Sequence, residues 1–197
     1  METNNVPVIR DAVMLDKFLG EIQQALVDNL PWLDVAFGKA QRLTKMQSGK
    51  RIVFPSVYCG GWNGHGENDY IEVSPDGHIG NFSFFDIEDP QTLSMDVWSR
   101  TIVVPFGLVV WFDLRRVYGE ASNRNTEFLK AQILRIVNGH LGWTMRGGRI
   151  EVNRCYERAE NIYRGYTLSE IDNQFLMHPF GGFRFDGTLQ FEELCLS

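Results

Sequence analysis

The segment from Thr101 to Leu114, TIVVPFGLVVWFDL, is the most hydrophobic part of the chain and constrains the fold more than any other. It is shorter than the roughly 18 apolar residues that span a bilayer, and Pro105 and Gly107 interrupt it. A segment of this kind has to be buried by the rest of the protein. We therefore expect a central strand of a sheet, either continuous or broken at Pro105-Phe106-Gly107.

Two amphipathic helices are predicted from apolar residues that recur at helical period. The apolar face of the first comprises Leu15, Phe18, Leu19, Ile22 and Leu26. Asp11 is its predicted N-cap, and Pro31 ends the pattern. The second helix covers Arg124 to Val137, and Asn138-Gly139 is expected to stop it.

Several segments have the residue pattern of strands, with apolar and polar residues in alternation or many β-branched and aromatic residues. The segment Arg51 to Tyr58 is predicted as an edge strand or a bulged strand, because Pro55 lacks the donor that a central strand needs. The segments Tyr70 to Val73 and His78 to Phe85 flank the turn signal Pro75-Asp76-Gly77, so we expect them to form a hairpin.

The remaining local patterns lie on either side of these elements. The segment Trp32 to Lys50 is mixed and is predicted to be a loop with a short helical turn. Arg149 to Tyr156 alternates as a strand, and Thr167-Leu168-Ser169-Glu170 fits a capping box. Gly182 to Phe191 is predicted to be a closing hairpin around a type I′ turn at Asp186-Gly187.

The order of helix, strands, helix and strands predicts the fold class. We expect one α+β domain over residues 1–197, with a mostly antiparallel sheet and two main helices packed on one face. Long loops are expected near residues 59–69 and 86–100.

Charge and cysteine content indicate which partners the protein is suited to bind and in which cellular compartment it works. A net charge of −6 and a pI near 5.2 argue against a protein that grips nucleic acid through its phosphates. The N-terminal segment METNNVPVIRDAV has no basic region followed by an apolar one, so we expect no secretory signal. The three scattered cysteines indicate reduced thiols in a cytosol and predict neither a disulfide framework nor a zinc site.

The glycine-rich segment from Cys59 to Asn68 is the first candidate for chemistry. A phosphate-binding loop needs a helix behind it, whereas a strand pattern follows here, and the P-loop Lys-Ser/Thr is missing. The spacing of Cys59, His65 and His78 matches no zinc pattern. We predict a hairpin loop without metal or cofactor, or a loop that orders on a partner with Trp62 as its anchor.

Acidic residues in two loops are the remaining candidates for catalysis. They are Glu67 with Asp69, and Asp86 with Glu88 and Asp89. Such pairs can act as acid and base, but solvated loops carry them just as often. With no nucleophile motif in the chain, we expect no enzyme; an enzyme or small-ligand-binding domain of unknown chemistry is the alternative function.

The C-terminal third resembles a known group of proteins. The segments that carry the likeness are residues 149–156, then NIYRGYTLSEIDNQFLMHPFGGFRF, then the Asp186-Gly187 segment. Together with the order of elements, they are similar to tail terminator and neck proteins of tailed phages and prophages of Bacteroides-type bacteria. The resemblance is loose over the whole chain and best over residues 149–191.

The resemblance implies a role in virion assembly. Such proteins form a ring, commonly a hexamer, that caps the tail tube, offers a surface to the head connector and lets DNA pass through its lumen. It implies a place in the virion tail or neck after assembly in the host cytoplasm, with no membrane and no active site. At 197 residues the chain is longer than compact terminators, which leaves another neck or tail-completion role open. The aromatic residues predicted as interface anchors are Trp62, Phe84, Phe85 and Trp98.

Overall fold

A computed structural model describes residues 5–7, 9–75, 78–95, 99–120, 122–139, 148–168 and 174–194. Within them, four helices and eight strands alternate along the chain. The helices are α1 (Met14–Asn29), α2 (Leu114–Tyr118), α3 (Thr126–Gly139) and α4 (Ala159–Ile162). The strands are β1 (Val35–Gln47), β2 (Lys50–Tyr58), β3 (Tyr70–Glu72), β4 (Phe82–Ile87), β5 (Thr92–Met95), β6 (Ser99–Asp113), β7 (Gly148–Tyr156) and β8 (Phe180–Leu194).

Strand β6 is the centre of the sheet, as the hydrophobic segment predicts, and it is continuous. It pairs with β8 along its whole length. On its other side β5 pairs with Arg100 to Val103 and β4 with Phe106 to Trp111. Pro105 lies at the gap between β5 and β4, so its missing N–H removes no bond to either strand.

The sheet is open and mostly antiparallel. Its strand order is β3-β2-β1-β4-β6-β8-β7, with β5 beside β6, and only the pair of β1 and β4 among these is parallel. Strand β3 pairs with β2, whereas β4 lies between β1 and β6. The predicted hairpin of Tyr70–Val73 with His78–Phe85 is therefore wrong, because the two strands find different partners. Its turn residues Asp76 and Gly77 lie outside the described residues.

The two main helices pack on one face of the sheet, which confirms the predicted α+β class. Helix α1 contributes Leu19, Ile22 and Leu26 to the core on this face, and α3 contributes Leu129 and Ile133. Helix α1 begins at Met14 with Val13 as its N-cap, so the predicted cap at Asp11 is wrong. Helix α3 continues through Gly139 and is not stopped at Asn138.

A second hydrophobic core covers the opposite face. Its buried members from the sheet include Phe37, Phe82, Phe84 and Trp111, and α4 and the residue after it add Ile162 and Tyr163. Between α4 and β8, the described residues Tyr166, Leu168 and Phe175 pack against this core. Thr167 hydrogen-bonds the backbone of Val53 in β2, while the other half of its predicted capping box, Ser169-Glu170, lies outside the described residues.

The predicted closing hairpin is wrong, because β8 runs without a turn from Phe180 to Leu194. Asp186 pairs with Gly107 of β6, and Gly187 pairs with Phe106 of that strand. Strand β7 shifts its register between Val152 and Arg154, opposite Asp186 and Gly187. An Asp-Gly pair turns when the strands on its two sides pair with each other, and here both sides pair with β6 and β7 instead.

Two predicted loops contain regular structure. The segment Trp32 to Lys50, predicted to be a loop, holds β1, which forms a hairpin with β2 around Ser48-Gly49. Both turn residues have positive φ, 50° and 75°, as a two-residue type I′ turn requires. The predicted loop at 86–100 contains the end of β4, all of β5 and the start of β6.

The outer half of the β1–β2 hairpin extends beyond the rest of the sheet. Strand β4 pairs with β1 only as far as Ala40, and β3 pairs with β2 only from Ser56 onward. We call residues 41–55 between these limits the ribbon. Pro55 lies at its base, where β2 has β1 as its only strand neighbour among the described residues, which agrees with the predicted edge position.

Candidate functional site

The densest polar cluster among the described residues lies on the face opposite the two main helices. Asp86 of β4, Gly107 of β6 and Asp186 of β8 are direct neighbours across three strands. Arg184, two residues before Asp186, projects to the same face because alternate residues of a strand do so. The sheet register therefore brings an arginine and two aspartates together over a glycine.

Arg184 is fully buried, at 0% exposure, and donates to three carboxylates. Its Nη1 lies 2.9 Å from Asp86, its Nη2 2.6 Å from Glu88 and its Nε 2.7 Å from Asp186. Gly107 makes room for it, because a Cβ there would overlap the guanidinium. Each of the three guanidinium nitrogens donates to a carboxylate, and such pairing offsets the cost of burying an arginine.

Two further arginines and a tyrosine enclose these carboxylates. Arg42 donates to both oxygens of Asp86, at 3.1 and 2.8 Å, and this hydrogen bond raises the pKa of Arg42 above its ordinary value. Arg164 donates to Glu88 at 2.6 Å and to Asp186 at 3.0 Å, and the bond to Glu88 likewise raises its pKa. Burial, with the charge of Asp86, raises the pKa of Tyr166, so its hydroxyl stays a neutral donor to Asp86.

This ion network, comprising Arg42, Arg164, Arg184, Asp86, Glu88, Asp186 and Tyr166, is balanced at three positive and three negative charges. From the sequence, Asp86 and Glu88 are candidates for an acid–base pair or for solvated loop residues. The structure places them in neither role, because arginines bind both carboxylates from several sides. The network joins β1, β4, β8 and the segment after α4, so it holds the second face of the sheet together.

Sequence reasoning missed the arginines of this network. The available signal was the alternation Phe183-Arg184-Phe185-Asp186, which puts an arginine and an aspartate on the side of the strand opposite two phenylalanines. The Asp186-Gly187 turn signal in the same residues favours a hairpin and hides this alternation. The partners Asp86 and Glu88 are almost a hundred residues away in the chain, and only the sheet register brings them close.

Three of the four predicted interface anchors belong to the cores of the fold. Trp62 is 7% exposed and meets Phe37 edge-on at 5.5 Å. Phe84 and Phe85 are fully buried on opposite faces of the sheet. The prediction that these rings are held free for a partner is therefore wrong, since successive residues of a central strand enter the two cores. Trp98 lies outside the described residues.

The glycine-rich loop is wound around Trp62. A short 3-10 turn, Trp62–Gly64, follows two glycines with positive φ, and His65 stacks on the indole at 6.4 Å. Asp69 is committed to the loop itself, because its carboxylate accepts from the Gly66 amide at 2.7 Å. Across the parts of the chain that the structure describes, no three His, Cys, Asp or Glu side chains are grouped to hold a metal ion.

One cleft lies between α1 and the start of β1. Its volume is about 210 Å³, and its lining includes Pro7, Asp16, Gln23, Lys39, Tyr58 and Tyr70. Small-molecule pockets are usually about 300–1,000 Å³. Gln23, the buried polar group of the cleft, donates its amide to the carbonyls of Pro7 and Ala36, at 3.2 and 2.7 Å. The amide therefore ties α1 to the N-terminal segment and to β1.

The ribbon differs from all these features because most of its side chains are exposed. Residues 41–51 are exposed on both strands and at the turn. Outside the turn, the backbones of the two strands are paired with each other. Leu43 is 45% exposed and Met46 is 69% exposed, although both lie within a regular strand. The ribbon is thus an outward-facing element of regular structure, which suits a contact surface better than the buried aromatic residues do.

No family model matches the chain, and no curated protein matches it significantly. None of the helices in the described residues combines the length and hydropathy needed to cross a membrane.

Proposed function

We propose that this chain is a structural protein of a phage tail or neck, a ring subunit similar to tail terminators that joins the tail tube to the head connector. The proposal starts from the resemblance over residues 149–191. These residues contain β7 and most of β8, so the best-matching part of the sequence forms one end of the sheet.

The observation that carries the proposal is the open sheet with two unlike ends. Strand β7 closes one end, and the ribbon extends from strands at the other. A ring needs a head-to-tail contact in which two different surfaces of the same subunit meet, and repeated copies then close on themselves. A subunit with distinct surfaces at its opposite ends meets this geometric requirement.

The polar cluster of the protein also favours a structural role. Its charges are paired with one another across β1, β4 and β8, an arrangement that fixes strands and leaves no charged group directed at a substrate. We therefore assign the chain no catalytic role. In the proposed ring its partners are copies of itself, commonly six, with tail tube and head-connector proteins above and below. DNA passes through the lumen unbound, helped by the net negative charge of the subunit.

Electron microscopy and mass measurement of the purified protein test this proposal. We expect rings with a central lumen and a mass that is a multiple of 22.6 kDa, six-fold for a hexamer. Addition of a tail tube protein from the same genome should place the ring at one end of each tube. A protein that stays a monomer both alone and with the tube protein contradicts the proposal.

A further inference from the structure

The ribbon carries the strongest charge asymmetry in the molecule. It contains four cations, namely Arg42, Lys45, Lys50 and Arg51, and the sequence has no Asp or Glu from residue 35 to residue 66. The net charge of −6 becomes −10 for the rest of the chain once these four cations are set aside. A basic projection therefore extends from a strongly acidic body.

Among the described residues, only part of this positive charge is paired with carboxylates. Arg42 belongs to the ion network at the base of the ribbon, and Lys45 pairs with Glu72 of β3. Lys50 and Arg51 directly follow the Ser48-Gly49 turn and are exposed. The free positive charge is thus concentrated at the end of the ribbon that lies farthest along the strands from the sheet.

Exposed apolar side chains are interleaved with these cations. Leu43 lies opposite Phe54 on one face of the ribbon, where the Lys45 ammonium stands 4.6 Å above the Phe54 ring centre. Met46 lies opposite Arg51 on the other face. Phosphate backbones offer no partner for Leu43 and Met46, whereas a protein surface offers partners for both cations and apolar groups.

We infer that the ribbon of one copy docks on the acidic body of a neighbouring copy and forms the head-to-tail contact between subunits. This inference rests on the proposed ring. Two ribbons repel each other, so a symmetric ribbon-to-ribbon dimer is disfavoured, whereas a ribbon and a body of opposite charge attract. The charge distribution thus selects the unlike pairing that a closed ring needs.

The test compares two double variants of the full chain that change the net charge equally. Lys50→Glu with Arg51→Glu reverses the ribbon tip, and Arg124→Glu with Arg135→Glu reverses two exposed cations at and near α3. The oligomeric mass is measured by analytical ultracentrifugation across protein concentration and salt. We expect the ribbon variant to raise the dissociation constant at least about tenfold, since like charges across a contact are strongly unfavourable. The α3 variant should assemble as the unmodified protein does.

The possible outcomes distinguish a failure of the proposed ribbon contact from a failure of the proposed ring. If the unmodified protein assembles and both variants assemble equally well, the ribbon contact is overturned and the proposed ring survives. If the unmodified protein stays monomeric at all concentrations up to about 1 mM, where even weak specific contacts form, both are overturned. If the ribbon binds short duplex DNA and the tip variant loses that binding without any change in assembly, the ribbon is a nucleic-acid-binding surface and the inference is overturned.

Zero-length carbodiimide cross-linking of the assembled protein supplies a second measurement. It joins a lysine to a carboxylate only where the two touch. We expect Lys50 to be joined to an Asp or Glu of another copy, identified by mixing isotopically light and heavy protein. Cross-links of Lys50 confined to single copies in an assembled ring contradict the inference.

Discussion

The ribbon tip and the centre of the sheet use the same kind of side chain in opposite ways. Arg184 lies fully buried between β4 and β8, with a carboxylate at each side of its guanidinium. Lys50 and Arg51 lie at a turn, exposed. A buried charge needs its partners within the fold, whereas an exposed charge is solvated and remains available to another molecule. The central cation therefore acts on stability, and the cations at the tip determine what the surface attracts.

Arg42 connects the two regions. It belongs to the ribbon by position, and its guanidinium reaches the nearly buried Asp86 while its own side chain stays 44% exposed. Arg42 also lies over the Tyr166 ring, at 5.4 Å. The base of the ribbon is thus fixed to the sheet by charge, whereas within the described part of the chain the tip is held by the pairing of its two strands. A two-stranded hairpin alone is marginal in water, so we expect order to fall from the base towards the tip.

The largest effect is expected from removing the central cation. Replacing Arg184 with Met keeps the length of the side chain and leaves Asp86, Asp186 and Glu88 without their shared partner. Breaking a buried ion pair in this way costs about 3–5 kcal/mol of unfolding free energy. Urea unfolding followed by circular dichroism measures it.

Arg184→Lys is the matched control for that change. Lysine keeps the positive charge but cannot donate in three fixed directions. The loss of unfolding free energy in Arg184→Lys should therefore be clearly smaller than in Arg184→Met. Equal losses for the two variants would mean that the shape of the guanidinium, and not its charge, dominates. A loss below about 1 kcal/mol for Arg184→Met would show that the network contributes little to the fold.

The Asp186-Gly187 pair shows where local sequence signals stop being sufficient. The two main helices, β6 and β7 follow from hydrophobic periodicity, because their burial is visible in the order of the residues. The signal at Asp186-Gly187 is strong but local, and two long neighbouring strands override it. The first strand of the ribbon gives no such signal, since its residues from Gln41 to Gln47 are exposed and need not alternate, whereas the second strand is predicted from Arg51 onward.

The second prediction distinguishes the strand from the turn at this position. Asn-Gly is at least as favourable as Asp-Gly in a type I′ turn, so Asp186→Asn would be neutral in a hairpin. In the continuous β8, Asp186 accepts charged hydrogen bonds from Arg184 and Arg164, and removing its charge should destabilise the protein by about 1.5–3 kcal/mol. A melt unchanged by Asp186→Asn would contradict this role of the carboxylate.

The third prediction concerns the true two-residue turn of the chain. Gly49 has φ of 75° and open space around its Cα, so Gly49→Ala introduces no clash and only backbone strain, about 1–2 kcal/mol. Ser48→Asn should act in the opposite direction, because Asn tolerates the positive φ of that position better. Amide hydrogen exchange should show faster exchange in the ribbon of Gly49→Ala, with β6 and β8 unchanged. Equal acceleration throughout the sheet would mean that ribbon and centre unfold as one unit.

The smallest effect on the unfolding free energy is expected from the variant with the greatest change of charge. Lys50→Glu with Arg51→Glu alters the net charge by four, yet both side chains are exposed and no carboxylate lies between residues 35 and 66 of the sequence. We expect the unfolding free energy of dilute protein in high salt to change by less than about 0.5 kcal/mol, as for surface substitutions that disturb no specific contact. The same variant is expected to lose assembly, so a preserved fold would separate the surface role of the tip from the structural role of Arg184. A loss of more than about 1 kcal/mol would instead show that the tip cations stabilise their own chain, and any loss of assembly could then no longer be assigned to contact between copies.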